Sequence, residues 1–318
     1  MRMIRNRCRI TVRGPGVQPV LSMRPAESVP SPARARPAPT HSLRRLRVAL
    51  GTWVAIEATA QSEAIAARAI EAAYAEVCEV ERRMHPEREG SDIARINLAP
   101  LRVRTPIHAS TWEVLRLAQR LNELTRGVFD PCLPSSPGCL TDLELSGPSA
   151  ASAPWVVRRA ALALDLGGIA KGYAIDRAIA ALGGAGCNAG AVNAGGDLRL
   201  FGARCETILL RYRDRYRPLV LQNAALAVSD LDESRRPPGH RGYYVRTGAA
   251  GASRRYAAVQ APDAMTADAL TKCVLLCSAA SARRTVAEFG GRDITHIHPT
   301  SAYPPFAERP AGAPPENR

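Results

Sequence analysis

The chain lacks any apolar run of the roughly 18 residues that a membrane-spanning helix requires, because Arg, Glu or Gly interrupts every such stretch. Its N-terminus has no apolar segment followed by a small-residue cleavage site, so it does not read as a secretory signal. None of the eight cysteines stands in a CxxC pair or beside a histidine at zinc-site spacing, which sets aside a structural zinc. Cys132 and Cys139 share a Pro/Gly loop that would allow a bridge under oxidation, and Cys273 and Cys277 lie one helical turn apart, a poor disulfide geometry. Reduced thiols in a cytoplasmic compartment are therefore expected. Aromatics are only 5% of the residues and do not interleave with the arginines, so a nucleic-acid module is not expected. No internal repeat is present.

Acidic residues are also in deficit, 29 against 43 Lys and Arg, for a net charge of +14. Much of that excess sits in residues 1–47, among them Arg2, Arg5, Arg7, Arg9, Arg13, Arg24, Arg34, Arg36, Arg44, Arg45 and Arg47. The stretch Pro15–Thr40 is rich in Pro, Ser and Ala and cannot build a core. Residues 1–44 read as a disordered leader, with Met23 as an alternative initiator, and the Pro-rich residues 299–318 as a flexible tail. The remaining span, 45–298, is long and apolar enough for one sizeable domain.

Within that span, residues 46–59 alternate around Gly51 and predict a strand. From Ser62 to Arg83, and on to Met84, the residues Ala66, Ile70, Ala73, Val77, Val80 and Met84 recur at helical spacing and predict a helix with one buried face. Ser110 and Glu113 have capping-box spacing at the start of a second helix that Gly127 stops. Residues 133–154, rich in Pro, Ser, Gly and Ala, read as a connecting loop. A helix over Ile169–Leu182 follows, and Gly195-Gly196 then joins two strands in a hairpin. Further strands are predicted at Thr207–Tyr212, Leu219–Leu221, Leu226–Ser229, Tyr243–Thr247 and Tyr256–Gln260. Helices are predicted at Thr266–Cys277 and Ala279–Phe289.

The most telling segment is Leu164-Asp165-Leu166-Gly167-Gly168-Ile169-Ala170-Lys171-Gly172-Tyr173-Ala174. An apolar run meets a Gly-Gly turn, and a helix opens with a lysine in its first turn. Glycines admit a ligand close to the backbone, and the N–H groups of a helix N-terminus favour phosphate. Asp165 beside Gly168 adds hard oxygen atoms of the kind that bind a divalent cation. Alone, such a segment reads equally well as a glycine turn with a solvated lysine. Three further segments flank it in order: Leu50-Gly51-Thr52-Trp53-Val54, Gly127-Val128-Phe129-Asp130-Pro131 and Ala267-Asp268-Ala269-Leu270. Asn193-Ala194-Gly195-Gly196-Asp197 lies between the last two.

Together these segments resemble the motifs of the FAD:protein FMN transferases, the ApbE family, over roughly residues 46–290. The resemblance implies an α+β, T-fold-related, two-lobed fold with mixed, largely antiparallel sheets packed by helices. It implies Mg²⁺-dependent transfer of FMN from FAD to a Thr or Ser hydroxyl of an acceptor flavoprotein, with release of AMP. Cofactor contacts are then expected from Leu50, Val128, Phe129, Asp130, Asp165 and Lys171, and metal ligands from the Gly168 carbonyl, the Asp268 carboxylate and the Thr271 carbonyl. Asp268 and Lys272 are the catalytic candidates, while Asn193 and Asp197 hold the glycine hairpin in shape.

Two departures from the family pattern bear on activity. Lys272 stands where the family has a metal-binding Thr one turn after the Asp, so its ammonium competes with the metal, partly replaces its charge, or swings out to solvent. A His-x-Ile-Asp-Pro-x-Thr-Gly element is reduced to Arg241–Gly248 without its histidine and aspartate, with His240 nearby. The alternatives to the transferase are a weakened FAD-binding or flavin-delivery protein and a metal-dependent FAD pyrophosphatase. Location in the cytoplasm is the first reading, and the periplasm or a membrane association is the family's alternative.

Overall fold

A computed structural model of the chain describes residues 40–148, 152–212, 215–231 and 254–295. Its first feature departs from the single strand expected at residues 46–59. Leu50 and Gly51 both take positive φ, 54° and 68°, and fold the segment into a hairpin of β1 (His41–Ala49) and β2 (Thr52–Ala60). Two left-handed residues match the twist of the flanking strands. The leucine, an uncommon choice there, conceals the turn in the sequence. Strand β1 begins four residues before the domain limit expected at 45.

The chain continues through α1 (Glu63–Met84), α2 (Asp92–Leu98), β3 (Arg104–Pro106), α3 (Ala109–Leu124), β4 (Leu143–Ser146) and β5 (Trp155–Arg158). There follow α4 (Ala170–Gly184), β6 (Ala189–Ala194), β7 (Asp197–Gly202), β8 (Cys205–Tyr212), β9 (Arg215–Gln222) and β10 (Ala225–Asp230). The last elements are β11 (Tyr256–Ala261), α5 (Ala264–Leu276), α6 (Ala279–Glu288) and β12 (Arg292–Asp293). Among the described residues, no helix is long and apolar enough to cross a membrane.

One sheet runs β1-β2-β6-β7-β10-β11-β12 with antiparallel pairing throughout, so its two faces can differ in what covers them. Along β2, Val54, Ile56, Ala58 and Ala60 point to one face and are fully buried. There they meet the stripe of α1, which is buried as its spacing predicts, and Ile175, Ala178 and Leu182 of α4. Ser62 starts α1 by accepting from the Ile65 amide at 3.3 Å. On the opposite face, Ala191, Leu198, Leu200 and Leu226 are covered by the two-stranded β8–β9 ribbon through Leu210 and Leu221, with Ile208 and Leu219 packed alongside.

A second, three-stranded sheet, β3-β5-β4, forms the smaller body with α2 and α3. Its core joins Leu143 and Val156 to Val114, Leu115 and Leu121 of α3, and onward to Leu270 and Val274 of α5. Strand β4 thus lies inside the span expected to be a loop, because its pairing with β5 supplies the order that its composition does not. Helix α2 was not foreseen. Arg158 closes its C-terminal end by donating to the carbonyls of Ile96, Asn97 and Ala99 at 3.1, 2.6 and 3.0 Å.

The capping box expected from Ser110 and Glu113 does not form. His108 caps α3 instead, its Nδ1 accepting from the Ser110 amide at 3.2 Å, and Glu113 accepts from the Tyr173 hydroxyl at 2.6 Å. The buried Asp92 ties α2 to the start of α3 by accepting from the His108 amide at 2.9 Å and the Thr111 hydroxyl at 2.6 Å. The Gly195-Gly196 hairpin forms as expected, with φ of 60° and 100°, and joins β6 to β7. The strand expected at Tyr243–Thr247 lies outside the described residues, as do residues 1–39 of the expected leader and the tail, while residues 41–44 of that leader belong to β1.

Candidate functional site

The site is organised by the close approach of α4 to α5. Gly172 permits it, since a Cβ there would lie 2.2 Å from the Ala264 carbonyl oxygen and 2.7 Å from Met265 Cα. One turn along α4, Asp176 accepts from the amides of both Ala264 and Met265 at 2.8 Å, so a carboxylate of one helix caps the N-terminus of the next. Burial pushes the Asp176 carboxyl above its ordinary pKa, and the Arg199 guanidinium opposes the shift. Held this way, α5 presents Asp268 to the first turn of α4, and the Gly172 amide donates to Asp268 Oδ2 at 3.1 Å.

Ahead of α4, Asp165 bends the chain back on itself. Its Oδ1 accepts from the Gly167 amide at 2.8 Å, and its own amide donates to the Pro131 carbonyl at 2.9 Å. That bond sets the Gly-Gly turn against the loop containing Asp130. Asp130 in turn accepts from the amides of Cys132 and Leu140 at 2.9 and 3.3 Å. Phe129 is pinned to the end of α3, its amide donating to the Thr125 hydroxyl at 2.9 Å and its carbonyl accepting from Asn122 at 2.8 Å.

These segments enclose a cavity of about 680 Å³, within the range of small-molecule sites. Leu50, Phe129, Asp130, Asp165, Gly168, Lys171 and Lys272 all line it. Val128 does not, and packs half-buried against the core. The wall also contains Thr52, Glu81, Met84 and His85, which sequence reasoning missed. Glu81 accepts from the Leu50 amide at 3.1 Å and so fixes the hairpin turn at the cavity rim. Nothing in the sequence distinguishes this glutamate from the other acidic residues of α1.

Two ion pairs form the polar floor. Lys171 pairs with Asp197, whose other oxygen accepts from the Val228 amide at 3.1 Å. Lys272 pairs with Asp268 and is itself buried. Burial raises the Asp197 carboxyl above its ordinary pKa despite Lys171. At Asp268 burial pushes the same way, but Lys272 and Lys171 outweigh it and leave the carboxyl below its ordinary value. Asp197 therefore does more than support a hairpin. Asn193 has the supporting role expected of it, accepting from the Gly196 amide at 3.2 Å.

The residues expected to hold magnesium fit that ion poorly. Asp268 is wholly buried and does not line the cavity, and both its oxygens are engaged, one by Lys272 and one by Gly172. Thr271 is equally buried in α5, with its hydroxyl donating to the Asp268 carbonyl at 2.7 Å and lying 2.7 Å from the Ser229 hydroxyl. Of the expected ligand set only Gly168 reaches the cavity, and Lys272 lies against it. Among the described residues, no three His, Cys, Asp or Glu side chains converge in a further metal cluster. Residues 241–248 and His240 lie outside the described residues.

The sequence model described as the ApbE family matches residues 50–294. The ApbE protein of Thermotoga maritima superposes with a TM-score of 0.63 at 24% identity, over 79% of this chain and 91% of that one. The flavin transferase ApbE of Vibrio cholerae gives 0.64 at 20% identity, over 80% and 92%. The flavinyl transferase ApbE of Pseudomonas stutzeri, in its apo form, gives 0.65 at 15% identity, over 79% and 89%. At these identities the structural likeness establishes the α+β fold, with its largely antiparallel sheets. No curated protein matches the chain.

Proposed function

The chain belongs to the ApbE family, and from that premise we propose that it is an FAD:protein FMN transferase. It moves FMN from FAD onto a Thr or Ser hydroxyl of an acceptor flavoprotein and releases AMP. The observation that carries this reading is the cavity floor, where the Gly-Gly turn and first turn of α4 stand beside Lys171 and Lys272. Two ammonium groups beside a glycine turn, in a cavity to which Leu50, Met84 and Phe129 give apolar walls, suit a pyrophosphate with organic groups on either side.

Catalysis of this kind is chiefly positioning and charge stabilisation. The acceptor oxygen attacks the phosphorus of the FMN half, the P–O bond to the AMP phosphate breaks, and the hydroxyl proton passes to solvent. Lys171 and Lys272 face the charge that develops on the departing phosphate. Leu50, Phe129 and Met84 supply apolar walls for the ring systems, and Asp130 and Asp165 shape the loops between them. A magnesium ion, where one is bound, would supply Lewis-acid stabilisation of the same phosphates. The buried Asp268–Lys272 pair argues against its being held by the expected ligands.

Incubating the purified protein with FAD and candidate acceptors, then assaying AMP and in-gel flavin fluorescence, tests the proposal. Covalent flavin on the acceptor with matching AMP is expected. AMP without acceptor labelling would make the protein an FAD pyrophosphatase. FAD binding with no AMP would make it a flavin carrier, the reading that the occupied Asp268 favours next.

A further inference from the structure

Lys272 has an uncommon setting for a lysine. Its side chain is only 9% exposed, its carboxylate partner Asp268 is fully buried, and that partner is tied on its other oxygen to the start of α4. The lysine stem lies along Gly168, so that a methyl group on that glycine would stand 3.4 Å from Lys272 Cε. The ammonium is thus fixed between the Gly-Gly turn and Asp268, at the edge of the cavity. Lys171 is fixed in parallel by Asp197, which is 2% exposed. Each carboxylate lies behind its lysine, and the two lysines border the same cavity. A long flexible cation that is pinned in this way is already ordered before an anion arrives.

We propose that Lys272 is a resident cation of the pyrophosphate subsite, so that with Lys171 it binds the dinucleotide diphosphate without a divalent metal. The inference rests on the flavin reading of the cavity and adds to it the source of the positive charge. A magnesium ion takes hard oxygen ligands in strict octahedral geometry. The Asp268 carboxylate would have to exchange the Lys272 ammonium for that ion and open toward the cavity. The buried pair holds it closed. Lys272 therefore touches the substrate diphosphate in this proposal and counts as a binding residue.

The test uses the full chain and two readouts. FAD affinity is measured by flavin fluorescence in excess EDTA and again in excess Mg²⁺. Binding of Mn²⁺ to the protein is measured by electron paramagnetic resonance, with and without FAD. The wild type is expected to bind FAD equally in both conditions and to leave Mn²⁺ in solution. Lys272→Thr should bind Mn²⁺ and make FAD affinity depend on it. Lys272→Met should lose FAD affinity in both conditions and gain no Mn²⁺.

A tenfold or greater loss of wild-type FAD affinity on chelation, equivalent to about 1.4 kcal/mol, overturns the proposal while leaving the flavin reading in place. So does stoichiometric Mn²⁺ on the wild type. Failure to bind FAD in either condition overturns both together. Should the variants not fold, as judged by circular dichroism, the wild-type measurements decide alone.

Discussion

Gly172→Ala offers the most direct test of how the site is built. Within a helix the change should be favourable by about 1 kcal/mol, since alanine is the better helix former. Here the new Cβ would stand 2.2 Å from the Ala264 carbonyl oxygen, where ordinary contact begins at 3.4 Å. Both groups are backbone or bonded directly to it, so no side chain can rotate away, and the helices must part by about 1 Å. Overpacking of this kind costs about 1–3 kcal/mol. Parting also stretches the bond from the Gly172 amide to Asp268, a charged acceptor worth about 1.5–3 kcal/mol. The net expectation is a loss of about 1.5–5 kcal/mol. At about 2–4 °C per kcal/mol for a domain of this size, the melting point falls by roughly 3–20 °C. Gly183→Ala, in the same helix but with nothing within 4 Å of its added Cβ, is the control. It should stabilise by about 0.4–1 kcal/mol. Calorimetry of the two variants settles the matter. A Gly172→Ala protein that melts with or above the wild type would refute the packing of α4 on α5.

Asp165→Ala removes the bond that shapes the Gly-Gly turn and should weaken FAD binding by about 1–3 kcal/mol in a fluorescence titration. Unchanged affinity would take Asp165 out of the site. Asp176→Asn leaves one of two part-buried amides without its acceptor and should cost about 1–3 kcal/mol. The wild-type carboxyl has a raised folded pKa. Its contribution is therefore fully present below the ordinary aspartate value and is lost as pH rises through the folded one. The asparagine variant should lack this component, which urea midpoints at acid and neutral pH can show. A chain of residues 40–299 should fold and bind FAD as the full chain does. One that begins at residue 45 loses the start of β1 and should melt lower.

The features that could be read from the sequence are those whose cause is local. The stripe of α1, the Gly195-Gly196 hairpin and the start of α4 each announce themselves through spacing or glycine. Leu50 hides a hairpin because its left-handed backbone is imposed by the strands on either side. Strand β4 hides in a Pro/Ser/Gly-rich stretch because its order comes from β5. The cap on α3 falls to His108 because Glu113 is drawn away to Tyr173, an element that the chain reaches much later. Within the site, the segments around Leu50, Phe129, the Gly-Gly turn and Gly195 line one cavity, whereas Ala267–Leu270 does not reach it. The pairing of Lys171 with Asp197, 26 residues on, depends on the fold bringing β7 to α4. The burial of Lys272 depends likewise on Gly168, which no spacing rule connects to it.

The β8–β9 ribbon has a consequence for how the molecule opens. A two-stranded ribbon is marginal by itself, and this one forms a separate sheet whose inner face is held by Leu210 and Leu221. Leu209 and Val220, on its outer side, are 60% and 52% exposed and add nothing to that hold. The ribbon should therefore detach as a unit at a lower free energy than the sheet beneath it, and its amides should exchange with deuterium before those of β6 and β7. Detachment bares Leu198, Leu200 and Leu226 to water, which gives the protein an adhesive state that it reaches without unfolding.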